Sequence, residues 1–223
     1  MVRREQARTR FARAAVINAA RALFVDRGFG ATTIEAISEQ ARVPQPTVYR
    51  LFSSKLGILK SLLDASIVGD EAEVPLADRP AVREVFDDPD PRRRIAGFAS
   101  VVAQVNARVA PLYRILVSAA ESDPDAATLL DELTRQRREG QRILSRSLAR
   151  AGLLSPGLEE RSAADVVHAL ASPEVFRLLV VDRAWTPDRY ERWLADILTG
   201  QLLPPFGVRL SPATSTRSQG DSP

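Results

Sequence analysis

The segment 32–55 constrains this 223-residue chain more than any other feature, because it predicts two short helices joined by a tight turn. Its first helix carries three apolar residues at helical spacing, which predict one buried stripe: Ile34, Ile37 and Ala41. Thr32 and Glu35 are spaced as a capping box, so we expect Thr32 to cap the start of that helix. Val43 follows the stripe and is expected to pack inward at the turn.

The second helix of this segment combines an apolar inner face with a polar, basic outer face. Gln45 precedes a proline and is pushed out of the α region, so we expect this helix to begin near Pro46. Its inner face is expected to consist of two apolar residues four apart, Val48 and Phe52. Thr47 and Arg50, three residues apart, face solvent or a ligand. Such a pair of helices is typical of a helix-turn-helix unit that places its second helix in the major groove of DNA.

The same segment resembles, position by position, the signature of the TetR family of transcriptional regulators. The matching positions are Ala41, Val43, Thr47, Tyr49, Phe52 and Lys55. The chain departs from the residues usual in the family at Arg42, Pro44, Pro46, Leu51 and Leu56. Arg42 stands where the family has Gly, and a left-handed backbone is more costly for Arg, so we expect the turn to differ locally. The resemblance covers roughly the first 65 residues well and the remainder as general architecture.

The resemblance implies an all-α fold with an N-terminal three-helix DNA-binding domain and a C-terminal helical domain for ligand binding and dimerisation. We expect the DNA-binding domain with a basic arm at residues 1–53, the effector-binding and dimerisation domain at 54–203, and a disordered tail at 204–223. The implied function is a homodimeric repressor that binds a palindromic double-stranded DNA operator and is released by a small apolar effector. A ligand-independent DNA-binding regulator and a helical ligand carrier or enzyme remain the alternatives.

Charge supports a DNA-binding end. Residues 1–60 hold eleven basic and four acidic side chains, a net charge of +7, whereas residues 61–223 hold twenty basic and twenty-four acidic ones, a net charge of −4. The candidate contacts to base edges are Gln45, Pro46, Thr47 and Arg50. The candidate contacts to phosphates are Thr33, Tyr49, Lys55 and the N-terminal arginines, above all Arg4, Arg8 and Arg10, with Arg13 in the same basic cluster. The alternative for the arginines is a solvated tail.

Composition argues against several other classes of protein. There is no Cys, so neither a disulfide nor a thiolate metal site can form. No apolar run approaches the ~20 residues that span a bilayer, and no export signal is apparent, so we expect a cytoplasmic protein. Asp87, Asp88 and Asp90 are interrupted by prolines and predict a solvated linker rather than a metal site. The one histidine, His168, is expected in the core or an interface, and we expect no enzyme, cofactor or metal.

Helical periodicity continues through the rest of the chain. A first helix is predicted at 9–27 with Phe11 on its packed side and Gly28 as its C-terminal cap. A fourth, at 54–67, joins the two domains. A helical turn around 81–86 and helices at about 91–109, 111–121, 125–151, 159–182 and 187–202 follow. Pro173 is expected to kink its helix.

Two apolar sets in the body are candidates for function. Residues that could pair with a second copy of the chain are Leu133, Gly140, Ile143, Val167, Leu170 and Leu178. Residues that could line an effector cavity are Phe98, Val101, Val105, Tyr113 and Leu116. Each set has an alternative explanation, because apolar and aromatic residues at helical spacing also form ordinary intramolecular core.

Overall fold

Every regular element is helical in the computed structural model, which describes residues 2–69 and 79–205, with side chains from residue 6 onward except at 81. The helices are α1 (Val2–Ala31), α2 (Ile34–Ala41), α3 (Gln45–Phe52), α4 (Lys55–Val68), α5 (Pro80–Asp87), α6 (Pro91–Ala120), α7 (Pro124–Arg150), α8 (Glu160–Leu170), α9 (Pro173–Phe176) and α10 (Pro187–Leu202). A π-helical turn, Arg177–Asp182, continues α9. The prediction of an all-α fold is confirmed. The expected disordered tail lies outside the described residues from 206 onward, as do residues 70–78 of the expected linker.

The helices α1, α2 and α3 form a small N-terminal unit around a shared core. Phe24, Ile37 and Val48 are fully buried and represent one helix each. Helix α1 is longer than predicted, and Gly28 interrupts it with a positive φ of 76° where the sequence predicts a cap. Phe11, expected on the packed side, is 77% exposed, because it shares its face of α1 with the exposed Ala14 and Asn18, whereas Ala12 packs against the core.

The predicted cap of α2 is wrong by one residue. Thr32 is fully buried, and its hydroxyl donates to the backbone carbonyls of Gly28 at 2.8 Å and Leu23 at 3.2 Å. Thr33 caps the helix instead, and its Oγ1 accepts the backbone N–H of Ala36 at 3.1 Å. The hydroxyl of Thr32 is thus bonded to carbonyls near the end of α1, where Gly28 interrupts the helix.

The turn between α2 and α3 adopts a left-handed conformation even though Arg replaces the usual Gly. Arg42 has φ 54° and ψ 38°, and its backbone N–H donates to the carbonyl of Glu39 at 3.1 Å. The backbone of Val43 closes the turn by donating to Ser38 at 3.1 Å. The expectation that Arg42 would change the turn is therefore wrong, and its left-handed geometry costs about 1–2 kcal/mol. Helix α3 then begins at Gln45, one residue earlier than predicted.

Two prolines in the body act differently from what the sequence predicts. Pro111 does not divide 91–121 into two helices, since α6 runs continuously from Pro91 to Ala120. Pro111 and Ala107, whose carbonyl loses its helical donor, are both exposed, so water can satisfy that carbonyl. Pro173 gives a break instead of a kink: α8 ends at residue 170, and α9 begins anew at Pro173 with Ser172 as its cap.

Helix α6 is the central helix of the body. Within the described ranges it is the one helix long and apolar enough to cross a membrane by composition, with a mean hydropathy of 1.3 over its most apolar window. Half of that window is buried inside the protein, against α1, α4, α7 and α10. Its apolar character is therefore that of a core helix. This helix carries a longer apolar stretch than the sequence analysis recognised.

The core is continuous from the N-terminal unit into the body. One apolar cluster joins α1–α3 to α4, the C-terminal half of α6 and the start of α7. A second joins the N-terminal half of α6 to the end of α7, α8, α9 and α10. Helix α4 and the C-terminal half of α6 therefore share one packed core with the N-terminal unit.

Candidate DNA-binding surface and ligand cavity

Helix α3 presents the outer face that the sequence predicts. Its inner residues, Val48 and Phe52, are buried in the core of the N-terminal unit. The predicted base-contacting residues lie on the opposite side: Gln45, Pro46 and Arg50 are exposed and Thr47 is half-buried. Tyr49, predicted to contact phosphate, is 50% exposed. The surface is short, polar and basic, and the apolar face beneath it packs into the core of the N-terminal unit.

The predicted phosphate contacts surround α3, but they differ in how many of their hydrogen-bond donors are already used within the protein. Thr33 is exposed at the start of α2, and its hydroxyl proton can still be donated although its oxygen caps the helix. Lys55 is tied to the end of α1: its Nζ donates to the carbonyl of Phe29 at 2.7 Å and lies 4.2 Å from the Phe29 ring centroid. Burial lowers the pKa of Lys55, and the carboxylate of Asp123 acts in the opposite direction. Two N–H groups of this ammonium remain for other acceptors.

The basic cluster on α1 divides into outward and inward arginines. Arg8 and Arg10 are exposed. The side chain of Arg4 lies outside the described residues. Arg13 instead turns towards the junction of α3 and α4, where it donates to the carbonyl of Leu51 at 3.4 Å and to Ser61 Oγ at 3.1 Å. Its guanidinium also lies 4.7 Å from the ring centroid of Phe52, so this arginine fastens α3 to α1.

Helix α4 begins beside α3 and ends in a polar clamp. Ser54 caps its first turn by accepting the N–H of Gly57 at 3.0 Å. Near its other end, the buried Ser66 accepts a hydrogen bond from Arg21 of α1 at 2.8 Å through its hydroxyl oxygen. The carbonyl of Ser66 accepts another from Arg108 of α6 at 2.8 Å. Helix α4 is thus bonded to both the N-terminal unit and the body.

The body contains a largely apolar cavity of about 350 Å³ beside this clamp. Four of the five residues predicted to line a cavity do so: Phe98, Val101, Val105 and Tyr113. Leu116 does not line the cavity, because it is fully buried in the apolar cluster that α6 shares with the N-terminal unit. The sequence analysis missed the contribution of α4, whose Leu63 and Ile67 form part of the wall. Their periodicity marks them as buried but does not say what covers them.

Polar groups are concentrated at one end of this cavity. Asn106 and Gln141 each donate a side-chain N–H to the carbonyl of Ala171, at 3.2 Å and 3.3 Å. The oxygen of Gln141 lies 2.9 Å from Nδ1 of the half-buried His168, which accounts for that histidine as part of a structural polar network. Burial lowers the pKa of His168, and the charges of Arg137 and Arg138 lower it further. Nothing in their spacing along the sequence identified Asn106, Gln141 or Arg137 as cavity residues.

The structure disperses the six residues predicted for a dimer interface. Leu133, Gly140 and Ile143 line the cavity, and Val167 is fully buried within the second apolar cluster of its own chain. Val167 lies on a different helix from the other three, so these four positions do not share one helix face. Leu170 is half-buried, and Leu178, in the π-helical turn, is 51% exposed. Helical spacing predicted that these six residues lie on apolar helix faces. It could not predict which helix or cavity each face would meet.

Comparison with known proteins agrees with this geometry. Residues 16–62, which span α2 and α3 with their flanks, match the family model of bacterial regulatory proteins of the tetR family. The HTH-type transcriptional repressor BdcR of Escherichia coli K12 is 36% identical over 83 residues, which cover 35% of this chain and 41% of that protein. The chain thus aligns with about two fifths of the length of that relative.

Solved structures share the fold over nearly the whole molecule. NalD, the secondary repressor of the MexAB-OprM multidrug efflux pump in Pseudomonas aeruginosa, superposes with a TM-score of 0.66 at 21% identity, covering 87% of this chain and 98% of NalD. The SmeT–triclosan complex, SmeT being the repressor of the Stenotrophomonas maltophilia pump SmeDEF, superposes with a TM-score of 0.65 at 18% identity. It covers 94% of this chain and 99% of that one. The helix-turn-helix is thus matched in sequence by the tetR family of bacterial regulatory proteins, and the whole fold is similar to the solved structures of NalD and SmeT.

Proposed function

We propose that this chain is a homodimeric transcriptional repressor that leaves its DNA operator when a small, largely apolar molecule occupies the body. The observation that carries the proposal is the position of α4. Its first turn adjoins the end of α3, while its Leu63 and Ile67 form part of the cavity wall. One helix therefore touches both the proposed reading helix and the proposed effector, which supports a coupling between occupancy of the cavity and orientation of α3.

The DNA-binding part of the proposal rests on the outer face of α3 and the charge around it. Gln45, Pro46, Thr47 and Arg50 are the proposed contacts to base edges, with Arg50 able to hold a guanine through two hydrogen bonds. Thr33, Tyr49, Lys55, Arg4, Arg8 and Arg10 are the proposed contacts to phosphates. The net charge of +7 on residues 1–60 supplies the attraction that such contacts need.

A dimer is proposed because a single reading helix contacts too few base pairs for selectivity, and paired heads match palindromic operators. The exposed apolar side chains Leu178 and Val181, at 51% and 63% exposure, support an interface at the π-helical turn, with Leu170 on the adjoining helix. We retain the division into a DNA-binding domain at 1–53 and a dimerisation and effector domain at 54–203 as part of the proposal, together with a cytoplasmic location.

Release requires that the effector bind the DNA-incompetent arrangement of α3 more tightly than the competent one. A coupling free energy of about 1–3 kcal/mol would change operator affinity by about 5–150-fold. SmeT, which has the same fold, has been solved as a complex with triclosan, a small and largely apolar molecule, and this supports a body that holds such a ligand. The competing proposal, a DNA-binding regulator that needs no ligand, predicts the same DNA binding without coupling.

Selection of bound fragments from random duplex DNA tests the first half of the proposal. We expect an inverted repeat, bound by a dimer, whose affinity falls steeply with salt as counterions are released from the neutralised phosphates. A monomer at micromolar concentration that selects no motif would contradict it. For the second half, compounds that raise the melting temperature of the protein should weaken operator binding, and operator should weaken their binding by the same factor. Bound compounds that leave operator affinity unchanged would favour the ligand-independent regulator.

A further inference from the structure

Arg137 is the unusual residue in the wall of the apolar cavity. It lies on α7, and its side chain is 19% exposed. Its Nε is buried and has no hydrogen-bond acceptor among the residues that the structure describes. Buried donors are nearly always paired in proteins, so an unpaired guanidinium N–H at the edge of a cavity indicates a group that is supplied from outside the chain.

The charge of Arg137 is also poorly compensated by its own protein. Its Nη1 lies 3.5 Å from a carboxylate oxygen of Glu174, whose side chain is 57% exposed to water. Its Nη2 lies 3.4 Å from Nε2 of His168, which carries no negative charge. Its guanidinium carbon lies 5.7 Å from the ring centroid of Tyr113, another cavity residue. One long, water-exposed ion pair contributes little to neutralising a half-buried cation.

We propose that the effector is an amphipathic monocarboxylate whose apolar tail fills the cavity and whose carboxylate binds Arg137. The carboxylate accepts hydrogen bonds from Nε–H and a neighbouring Nη–H, the planar two-point geometry that favours arginine over lysine. The tail lies against the aliphatic and aromatic wall that includes Phe98, Val101 and Val105. This inference rests on the proposed function, since it names the chemical class of the molecule that occupies the proposed effector site.

The sign of the ligand charge follows from the same geometry. A neutral ligand with one acceptor could satisfy Nε–H but would leave the guanidinium charge uncompensated in an apolar surrounding. A cationic ligand would be repelled by Arg137 and by Arg138, the exposed residue that follows it. Only an anion both pairs the buried donor and neutralises the charge, and charge-assisted hydrogen bonds are about twice as strong as neutral ones.

Three probes with the same tail and different charges test this inference: decanoate, decanol and decyltrimethylammonium, titrated calorimetrically into the full chain below their micellar concentrations. We expect decanoate to bind at least about tenfold more tightly than decanol, which corresponds to about 1.4 kcal/mol. The ammonium should bind most weakly. Equal affinities for the three probes, a preference for decanol or the ammonium, or no binding of decanoate would each overturn the proposal.

Variants of Arg137 and of its neighbour Arg138 test whether Arg137 causes the preference for decanoate over decanol. Arg137→Gln should remove the advantage of decanoate and leave decanol binding unchanged. Arg138→Gln is the matched control, because it removes the same charge from the next position of α7 without touching the cavity wall, and it should keep the advantage. Arg137→Lys, which keeps the charge but loses Nε, should retain part of it and serves if the glutamine variant fails to fold. An undiminished decanoate preference in folded Arg137→Gln or Arg137→Lys would overturn the assignment.

Operator affinity, measured on the same samples, separates this inference from the proposed function. If decanol and decanoate bind alike and both release the operator, the monocarboxylate is wrong and the effector-released repressor stands. If decanoate binds through Arg137 and operator affinity stays unchanged, the carboxylate site stands and the release mechanism fails.

Discussion

Replacing Gly140 by alanine should raise the free energy of unfolding by about 1 kcal/mol, because glycine in a helix interior is less favourable than alanine by roughly that amount. Gly140 lies in the middle of α7 and has no positive φ. A Cβ added there would meet no other heavy atom within 4 Å, so no clash opposes the gain in helix propensity. The expected increase in melting temperature is about 2–4 °C for a chain of this size.

Gly157→Ala is the matched control for this prediction. A Cβ at Gly157 would also meet nothing within 4 Å, but the backbone there has a φ of +81°. The added methyl group is the same and the surrounding space is equally open, so only the backbone conformation differs. A left-handed conformation costs an alanine about 1–2 kcal/mol relative to glycine, and we expect a loss of stability of that order.

Urea denaturation followed by circular dichroism measures both changes as shifts of the midpoint at unchanged slope. Midpoints that move in the same direction for the two variants would refute the reasoning, since space alone would then decide the outcome. Sedimentation of Gly140→Ala gives a second result. If Gly140 allows a partner helix to approach closely, as its spacing predicted, the methyl group should weaken the dimer. We expect no change in the dimer, because Gly140 lines the cavity of its own chain.

Three further predictions concern the helix-turn-helix and the polar network around His168. Arg42→Gly should stabilise the protein by about 0.5–1 kcal/mol in urea denaturation, because it relieves a left-handed arginine (φ 54°); a loss of stability would show that the arginine side chain supports the turn. In binding assays against operator variants, Arg50→Ala should relax preference at one position of each half-site at a cost of about 1–3 kcal/mol, whereas Lys55→Ala should weaken all sequences alike and reduce the salt slope by about 1; identical profiles would remove Arg50 from base readout. Burial lowers the pKa of His168 below 6.5, so the unfolded chain binds a proton at this residue more readily than the folded chain does. The stability that His168 contributes is therefore lost as pH falls from 6.5 through the folded pKa. His168→Gln should flatten the fall in urea midpoint over that range, and an unchanged profile would assign the fall to other groups.

The sequence predicted the helices and their buried faces because those depend on neighbours three and four residues away. Val48 and Phe52 are buried and Gln45, Pro46 and Arg50 exposed, as the spacing of α3 predicts. The same local rules placed the start of α4 within one residue. They also predicted four of the cavity-lining positions on α6, since aromatic and aliphatic residues repeated on one face of that helix.

Local rules failed where a residue had two possible partners. Thr32 and Thr33 are both suitable caps, and only the position of the carbonyls at the end of α1 decides that Thr32 is buried among them. Pro111 can end a helix or remain within one, and the exposure of Ala107 allows the second. In each case the deciding atoms belong to backbone whose position is set by packing.

The sequence by itself determined the all-α fold class and the basic N-terminal helix-turn-helix, which the tetR family model matches. Tertiary structure alone decided what each apolar face covers. Leu133, Gly140 and Ile143 share a stripe that fits a partner helix equally well, yet they surround a cavity of the same chain, and Arg137 joins them there with an unpaired Nε. Periodicity along a helix fixes the direction of a side chain, but the group that it meets is fixed by the angle and distance between helices, which depend on the whole core.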